Sequence, residues 1–363
     1  MGTVKENKLV SPFFLFYLIH STQTGVGMLK FQANIIKGAG NDSWLSVLIF
    51  GLFLHLVLWM MLYILKQSNE GDIISFHQSV FGKYIGNVMN LILAIYFGMS
   101  SLFAFHTYVD ILQIWVFDGI AAWEFSLLLS VIIFYVVAGG FRIITAISFF
   151  GVIIPALTLF LFLYLFEYID LTYVKPFFNH DLKDYVISAK EAATIFLGFE
   201  TVLVYYPFIN ERKKANKWGY LAILTSTLLY TITAFFTFMF FTQEKLEHLT
   251  WPTLQMIKFI QFPFLERFEF IFIFTWLLVV MPVICVSLWA SIRTIKLTIP
   301  NLKPTFILIV FLLIFNYVNG VLTQLEFSLK LATFTSMSGL FIILVYIPLL
   351  FIIAVIKNKL AKN

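Results

Sequence analysis

Ten stretches of this chain are almost continuously apolar: residues 10–31, 44–65, 87–109, 121–139, 143–166, 189–209, 217–241, 268–292, 304–321 and 331–356. A helix needs about 20 predominantly apolar residues to cross a bilayer, so each stretch is predicted as a spanning helix. Runs such as Leu127 to Val137 and Phe306 to Phe315 are apolar without alternation. A transmembrane barrel would instead show short segments with a period of two. Two of the ten stretches are interrupted: the first carries Thr22-Gln23-Thr24-Gly25-Val26-Gly27, and the sixth carries Gly198-Phe199-Glu200-Thr201.

The interruptions fall at corresponding places. Five stretches occupy about 10–166 and five about 189–356, and because five is odd the two halves must run through the bilayer in opposite directions. The expected fold is therefore all-α and integral to the membrane, ten helices in a 5+5 inverted repeat of the LeuT-like kind, with the first and sixth discontinuous. Residues 1–363 are expected to form a single polytopic membrane domain, with no room left for a sizeable soluble one. No residue-level repeat is visible, so the symmetry rests on segment count and on the two breaks.

Composition agrees with this pattern. Apolar residues make up 61% of the 363 and charged residues 12%, with a mean hydropathy of +0.93, far from the balance of soluble domains. Charge adds a direction. With the N-terminus in the cytoplasm, the inner segments carry Lys5, Lys8, Lys66, Lys83, Arg142, Arg212, Lys213, Lys214, Lys217, Arg293, Lys296, Lys303, Lys357, Lys359 and Lys362, which is 15 of the 24 basic residues. Only Glu6, Glu70, Asp72 and Glu211 oppose them there. Retention of Lys and Arg inside sets topology, so both termini are expected on the cytoplasmic side. The net charge of +5 is accounted for by this asymmetry and does not point to nucleic acid. Lys5 and Lys8 ahead of Leu9 imitate a signal peptide, but no small-residue cleavage site follows, so the first helix is expected to be uncleaved.

Two connections are amphipathic. Asp72 is positioned to cap a short helix with Ile73, Phe76, Val80 and Tyr84 along one side, ending near Gly82-Lys83, and it is expected in the membrane interface. On the other side Thr250-Trp251-Pro252 starts a helix with Leu254, Ile257 and Ile260 on one face and Pro263 stopping it. Over the outer mouth, that helix is a candidate lid. A bland linker is the competing reading for both.

Candidate chemistry concentrates at the breaks. Gly25 and Gly27 lower helix propensity by about 1 kcal/mol each relative to alanine, while Thr22, Gln23 and Thr24 offer partners to freed backbone groups. Small residues also serve tight helix packing, and it is the matching second break that favours a binding site. An outer half-helix starting near Gly25 would direct its N–H groups and positive dipole end at a ligand carboxylate. Freed carbonyls around Leu197 to Phe199 would accept from an ammonium, so an α-amino acid would suit both.

Glu200 is the only acid near the middle of a stretch, which makes a functional role the default. Three roles are open: an ammonium contact, a proton carrier, or a hydrogen-bond partner of a histidine or tyrosine, with His20 as one such partner. Tyr96 and Ser100 share a helix face, as do Ser287 and Ser291 near Pro282 and Cys285. Hydroxyls in spans also commonly bond their own backbone. Cys285 alone excludes an internal disulfide or a cysteine metal site, and the six histidines show no ligand spacing. No phosphate-binding loop, Gly-x-Ser-x-Gly or His-Glu-x-x-His motif is present, so no enzyme activity, cofactor or metal is expected.

Ser11-Pro12-Phe13 through Gly25-Val26-Gly27-Met28-Leu29, then Phe196-Leu197-Gly198-Phe199-Glu200, then Glu266-Arg267-Phe268-Glu269 with Trp276, resemble in order and spacing the permease-like B subunits of bacterial spore germinant receptors. That family is similar to the amino acid, polyamine and organocation transporters. The resemblance implies a multi-pass subunit in the spore inner membrane. It would work with a large A subunit and a lipoprotein C subunit, and sense an amino acid or other small nutrient to trigger germination. It implies a pocket drawn from Thr24, Gly25, Gly27, Tyr96, Ser100, Gly198, Phe199, Glu200 and Ser287. The physical features fit an H⁺- or Na⁺-coupled amino acid permease equally well, and only the resemblance favours sensing.

Overall fold

The computed structural model describes residues 5–117, 119–262, 267–322 and 325–360. Every regular element among them is helical, and a parallel bridge pairs Val10 with Ile209. The elements that position the site are α1 (Phe14–Gln23), α2 (Ser43–Lys66), α3 (Ile73–Trp115), α4 (Ala122–Ala138), α5 (Phe141–Ala156), α6 (Leu182–Ile195), α7 (Arg212–Phe240), α8 (Pro252–Ile257), α9 (Phe268–Thr298), α10 (Pro304–Val321), α11 (Leu325–Phe341) and α12 (Ile347–Leu360).

Among the described residues seven helical segments are long and apolar enough to cross a membrane: Gly40–Lys66, Ile73–Trp115, Phe141–Tyr168, Arg212–Phe240, Phe268–Thr298, Pro304–Val321 and Leu325–Leu360. The remaining three apolar stretches take other forms. One is α4, of 17 residues, and the other two are the stretches that carry the breaks. In the first, α1 stops at Gln23, a 3-10 turn covers Val26–Leu29, and four helical residues follow at Gln32–Ile35. In the sixth, α6 stops at Ile195 and the chain resumes as short turns over Phe199–Phe208.

Local chemistry explains the other departures from straight helix. The Asp72 carboxylate accepts from the Ser75 N–H at 2.9 Å, capping α3 as the sequence suggested, and Gly82 at φ 77° and ψ 170° kinks it. Ile73 and Phe76 are buried before the kink, whereas Tyr84 beyond it is 88% exposed and leaves the expected apolar face. In α5, Pro155 lacks an N–H to continue the α pattern, and 3-10 turns take over from Leu157 to Tyr168. A π-helical segment, Ile342–Tyr346, joins α11 to α12. On the opposite side, α8 ends at Ile257, short of the expected stop; Pro263, Glu266 and Lys362 lie outside the described residues.

The centre of the bundle is α3 packed along α9. With lipid around the helices, burial of apolar side chains supplies little drive for association, so close packing and interhelical hydrogen bonds carry it. Two serines do this reciprocally: Ser101 donates to the Ile284 carbonyl at 2.9 Å and Ser291 donates to the Ala94 carbonyl at 2.7 Å. Tyr108 adds a third bond, to the Ile273 carbonyl at 3.0 Å. Elsewhere, α1 is held against α7 by His20 Nδ1 and Ser226 Oγ at 2.7 Å. Gly51 of α2 lets the Thr227 side chain approach so closely that a Cβ there would fall 2.3 Å from its hydroxyl.

Candidate functional site

The two breaks meet. A Cβ added to Gly198 would lie 2.3 Å from the Thr22 carbonyl oxygen, and the backbone there has φ 119°, so glycine is required twice over. The chain ends flanking the breaks also pair: Val10 N–H donates to the Phe208 carbonyl and Asn210 N–H to the Val10 carbonyl, both at 2.9 Å. The first and sixth stretches thus lie side by side, joined at one end and touching at their interruptions.

The second break closes on itself. The Tyr96 hydroxyl, from α3, donates to Glu200 Oε1, and the Gly198 N–H donates to Oε2 at 2.8 Å. The Gly198 carbonyl is taken by the Thr201 hydroxyl at 2.6 Å and by the Thr201 N–H at 3.2 Å. A Cβ on Gly339 of α11 would meet the Tyr96 hydroxyl at 2.9 Å and the Leu197 side chain at 2.5 Å, so a third element leans on the same point. Both oxygens of a carboxylate only 1% exposed are therefore satisfied by the protein itself. His20, considered above as a partner for Glu200, is bonded to Ser226 instead. The Gly198 carbonyl, expected to be free for an ammonium, is occupied by Thr201.

The first break is left more open. Neither Oε1 nor Nε2 of Gln23, itself 1% exposed, has a hydrogen-bond partner among the described residues. The Gln23 carbonyl receives the Tyr230 hydroxyl at 2.7 Å. A Cβ at Gly27 would meet nothing within 4 Å, whereas one at Gly25 would sit 3.0 Å from Val283 Cγ2 of α9. The expected outer half-helix is reduced to the 3-10 turn Val26–Leu29. Lys30, with φ −134°, separates it from Gln32–Ile35. So few aligned peptides sum to a weak dipole, and recognition of an anion here cannot rest on one.

A cavity of about 180 Å³ lies against this break, lined by His20, Thr24 and Met28 with Pro155 of the fifth stretch, Trp276 of α9 and Thr253 of α8. An engineered apolar cavity of about 150 Å³ holds benzene, so there is room for a molecule of that size. The Trp276 indole N–H is buried without a partner among the described residues. Above it, Thr253 donates to the Met28 carbonyl at 3.0 Å and receives Gln32 Nε2 at 2.9 Å, while Leu254 and Ile257 are fully buried. The short helix α8 is thereby pinned directly onto the first break.

Of the nine residues named from sequence, Tyr96, Gly198 and Glu200 form one cluster, with Phe199 fully buried in the same turn. Thr24 lines the separate cavity, though its hydroxyl donates to the His20 carbonyl at 2.9 Å. Gly25 abuts α9 and Gly27 faces space. Ser100 bonds its own helix at the Tyr96 carbonyl, 3.0 Å away, and Ser287 is buried within α9. Sequence reasoning missed Tyr205, whose hydroxyl is buried and unpartnered among the described residues, and the cavity role of Trp276 and Met28. Tyr205 lies five residues past Glu200, and a polar tip in a wholly apolar run was the available signal.

Helices of membrane-crossing length around two touching, glycine-containing interruptions, with a buried acid at one and a small cavity at the other, define a multi-pass helical membrane protein. The chain belongs to the spore germination protein family, whose profile matches residues 9–328. It is 36% identical over 353 residues to spore germination protein GerQB of Bacillus cereus, covering 97% of this chain and 98% of that one. It is 25% identical to spore germination protein B2 of Bacillus subtilis over 71% of each chain, and 20% identical to protein A2 of the same organism over 72% and 73%.

Proposed function

We propose that this protein is the nutrient-sensing B-type subunit of a spore germinant receptor, and that an amino-acid-like germinant binds at the first break. The observation that carries this reading is the inequality of the two breaks: at the second the Glu200 carboxylate is satisfied within the protein, while at the first the Gln23 amide is buried with no partner among the described residues, and a cavity of about 180 Å³, lined by His20, Thr24 and Met28 rather than by Gln23, lies against the same break. Gln23 offers both a donor and an acceptor, which suits a ligand bearing a carboxylate and an ammonium. Contact between Gly198 and Thr22 ties occupancy of the first break to the position of the second, and through Tyr96 to α3. A ligand that binds one arrangement of these elements better shifts the population between arrangements.

The ten crossings as a 5+5 inverted repeat belong to this proposal, with the two broken stretches and α4 counted as crossings. So do the cytoplasmic side for both termini, the spore inner membrane, and the A and C partner subunits. Segment count and the two breaks support the repeat, the charge asymmetry supports the side of the termini, and the relatives' names, spore germination proteins, support a place in germination. Deleting the gene and screening spores nutrient by nutrient tests the reading: one nutrient response should be lost and the others kept, and an intact response to every nutrient would exclude it. Proteoliposomes containing this chain alone should not accumulate a radiolabelled amino acid. Uptake driven by an H⁺ or Na⁺ gradient would replace sensing with transport.

A further inference from the structure

Two cavities of about 600 Å³ lie at the end of the bundle that carries both described chain ends, and their charges differ. The first is lined by Glu70, Asp72 and Glu211 as well as by cations. The second is lined by Lys8, Arg142, Arg293 and Lys296, with no Asp or Glu among its lining residues. A topological excess of basic residues would scatter cations around this end; instead, four from three distant parts of the sequence converge on one concavity. Among the described residues Lys8, Arg142 and Lys296 form no ion pair, and Arg293 reaches Asp72 only at 3.4 Å. Arg142 and Lys296 each donate to a neutral carbonyl, of Asn7 at 3.1 Å and of Pro300 at 2.6 Å, and neither is paired with an acid among the described residues.

The start of α5 enters the same cavity. Gly140, at φ 87°, is its N-cap and supplies no side chain, and Phe141 and Arg142 line the wall, so the first N–H groups of a 16-residue helix add to the positive field. The cavity sits at the rim of the bundle: Tyr135 and Phe306, on the helices that flank it, are 76% and 57% exposed. We propose that this cavity binds the phosphate of an anionic lipid headgroup, with Lys8, Arg142, Arg293 and Lys296 as its cationic cradle. Basic pockets between helices at a membrane surface select such headgroups. Lys8 and Arg293 line both cavities, and Arg293 also closes on Asp72, which caps α3, so the headgroup site and the first cavity share two cations.

The test uses the full-length protein purified from membranes of mixed phosphatidylglycerol and phosphatidylcholine, with co-purifying lipid quantified. Phosphatidylglycerol should be enriched over phosphatidylcholine. Arg142→Gln with Lys296→Gln should weaken its retention about twenty-five-fold, at about fivefold per cation. Arg142→Lys with Lys296→Arg, which keeps the charges, should retain the lipid, as should Lys83→Gln with Lys359→Gln, which removes two cations from the same end outside the cavity. Equal loss in that last pair, or no preference between the two lipids, would overturn the proposal. Inorganic phosphate should displace the lipid only weakly; protection of the protein by phosphate with no lipid preference would assign the cavity to a free anion and overturn the lipid assignment.

Discussion

The two breaks differ more in how they are filled than in how they are made. Both are short polar and glycine-bearing interruptions of apolar helices, and they press against one another at Thr22 and Gly198. At the second, a buried carboxylate, a tyrosine hydroxyl, a glycine N–H and a threonine pair off completely. At the first, the Gln23 amide has no partner and Gly27 borders open space. A saturated polar cluster rigidifies, whereas an unsaturated one keeps its capacity for a further partner, so an acid whose oxygens are both taken is weaker evidence of a ligand contact than an unpaired amide. Glu200 is read best as the keystone that fixes the sixth stretch to α3.

The largest expected effect comes from Gly198→Ala. It places a methyl 2.3 Å from the Thr22 carbonyl in a positive-φ backbone, and should cost about 3 kcal/mol or abolish folding, read as the thermal midpoint of the purified protein. Next is Tyr96→Phe, which removes a donor from a buried carboxylate and should cost about 1–3 kcal/mol in the same measurement. If Tyr96→Phe were neutral, the second break would not be the closed one.

Gln23→Leu separates the breaks most sharply. It should leave stability unchanged, since the amide has no partner to lose, yet shift the nutrient dose response by about tenfold, equivalent to about 1.4 kcal/mol of binding. An unaltered dose response would move the ligand away from the first break. Smallest are Gly27→Ala, with no neighbour within 4 Å, and Ser100→Ala, whose bond to the Tyr96 carbonyl lies within its own helix; each should change stability by less than about 0.5 kcal/mol. A large loss from Gly27→Ala would mean that the open side is packed after all.

Much of the local structure was legible in the chain. The apolar runs, both interruptions, the Asp72 cap, the turn at Gly82 and the helix opening at Pro252 all follow from propensities acting over a few residues. The partners were not legible. Tyr96 and Glu200 are 104 positions apart, and His20 was as reasonable a neighbour until its ring was found on Ser226. The half-helix expected after Gly25 also failed to form, because Lys30 interrupts the chain four residues after the turn begins.

By itself the sequence determined that this protein lives in a membrane, that its chain breaks twice, and that an acid sits at one break, because solvent transfer and backbone propensity act on each residue where it stands. Only the tertiary structure decided that the acid is sealed and that the first break is the one left open. Hydrogen-bond satisfaction is a property of groups brought together from distant stretches, and no single stretch encodes which of its polar atoms will find a partner.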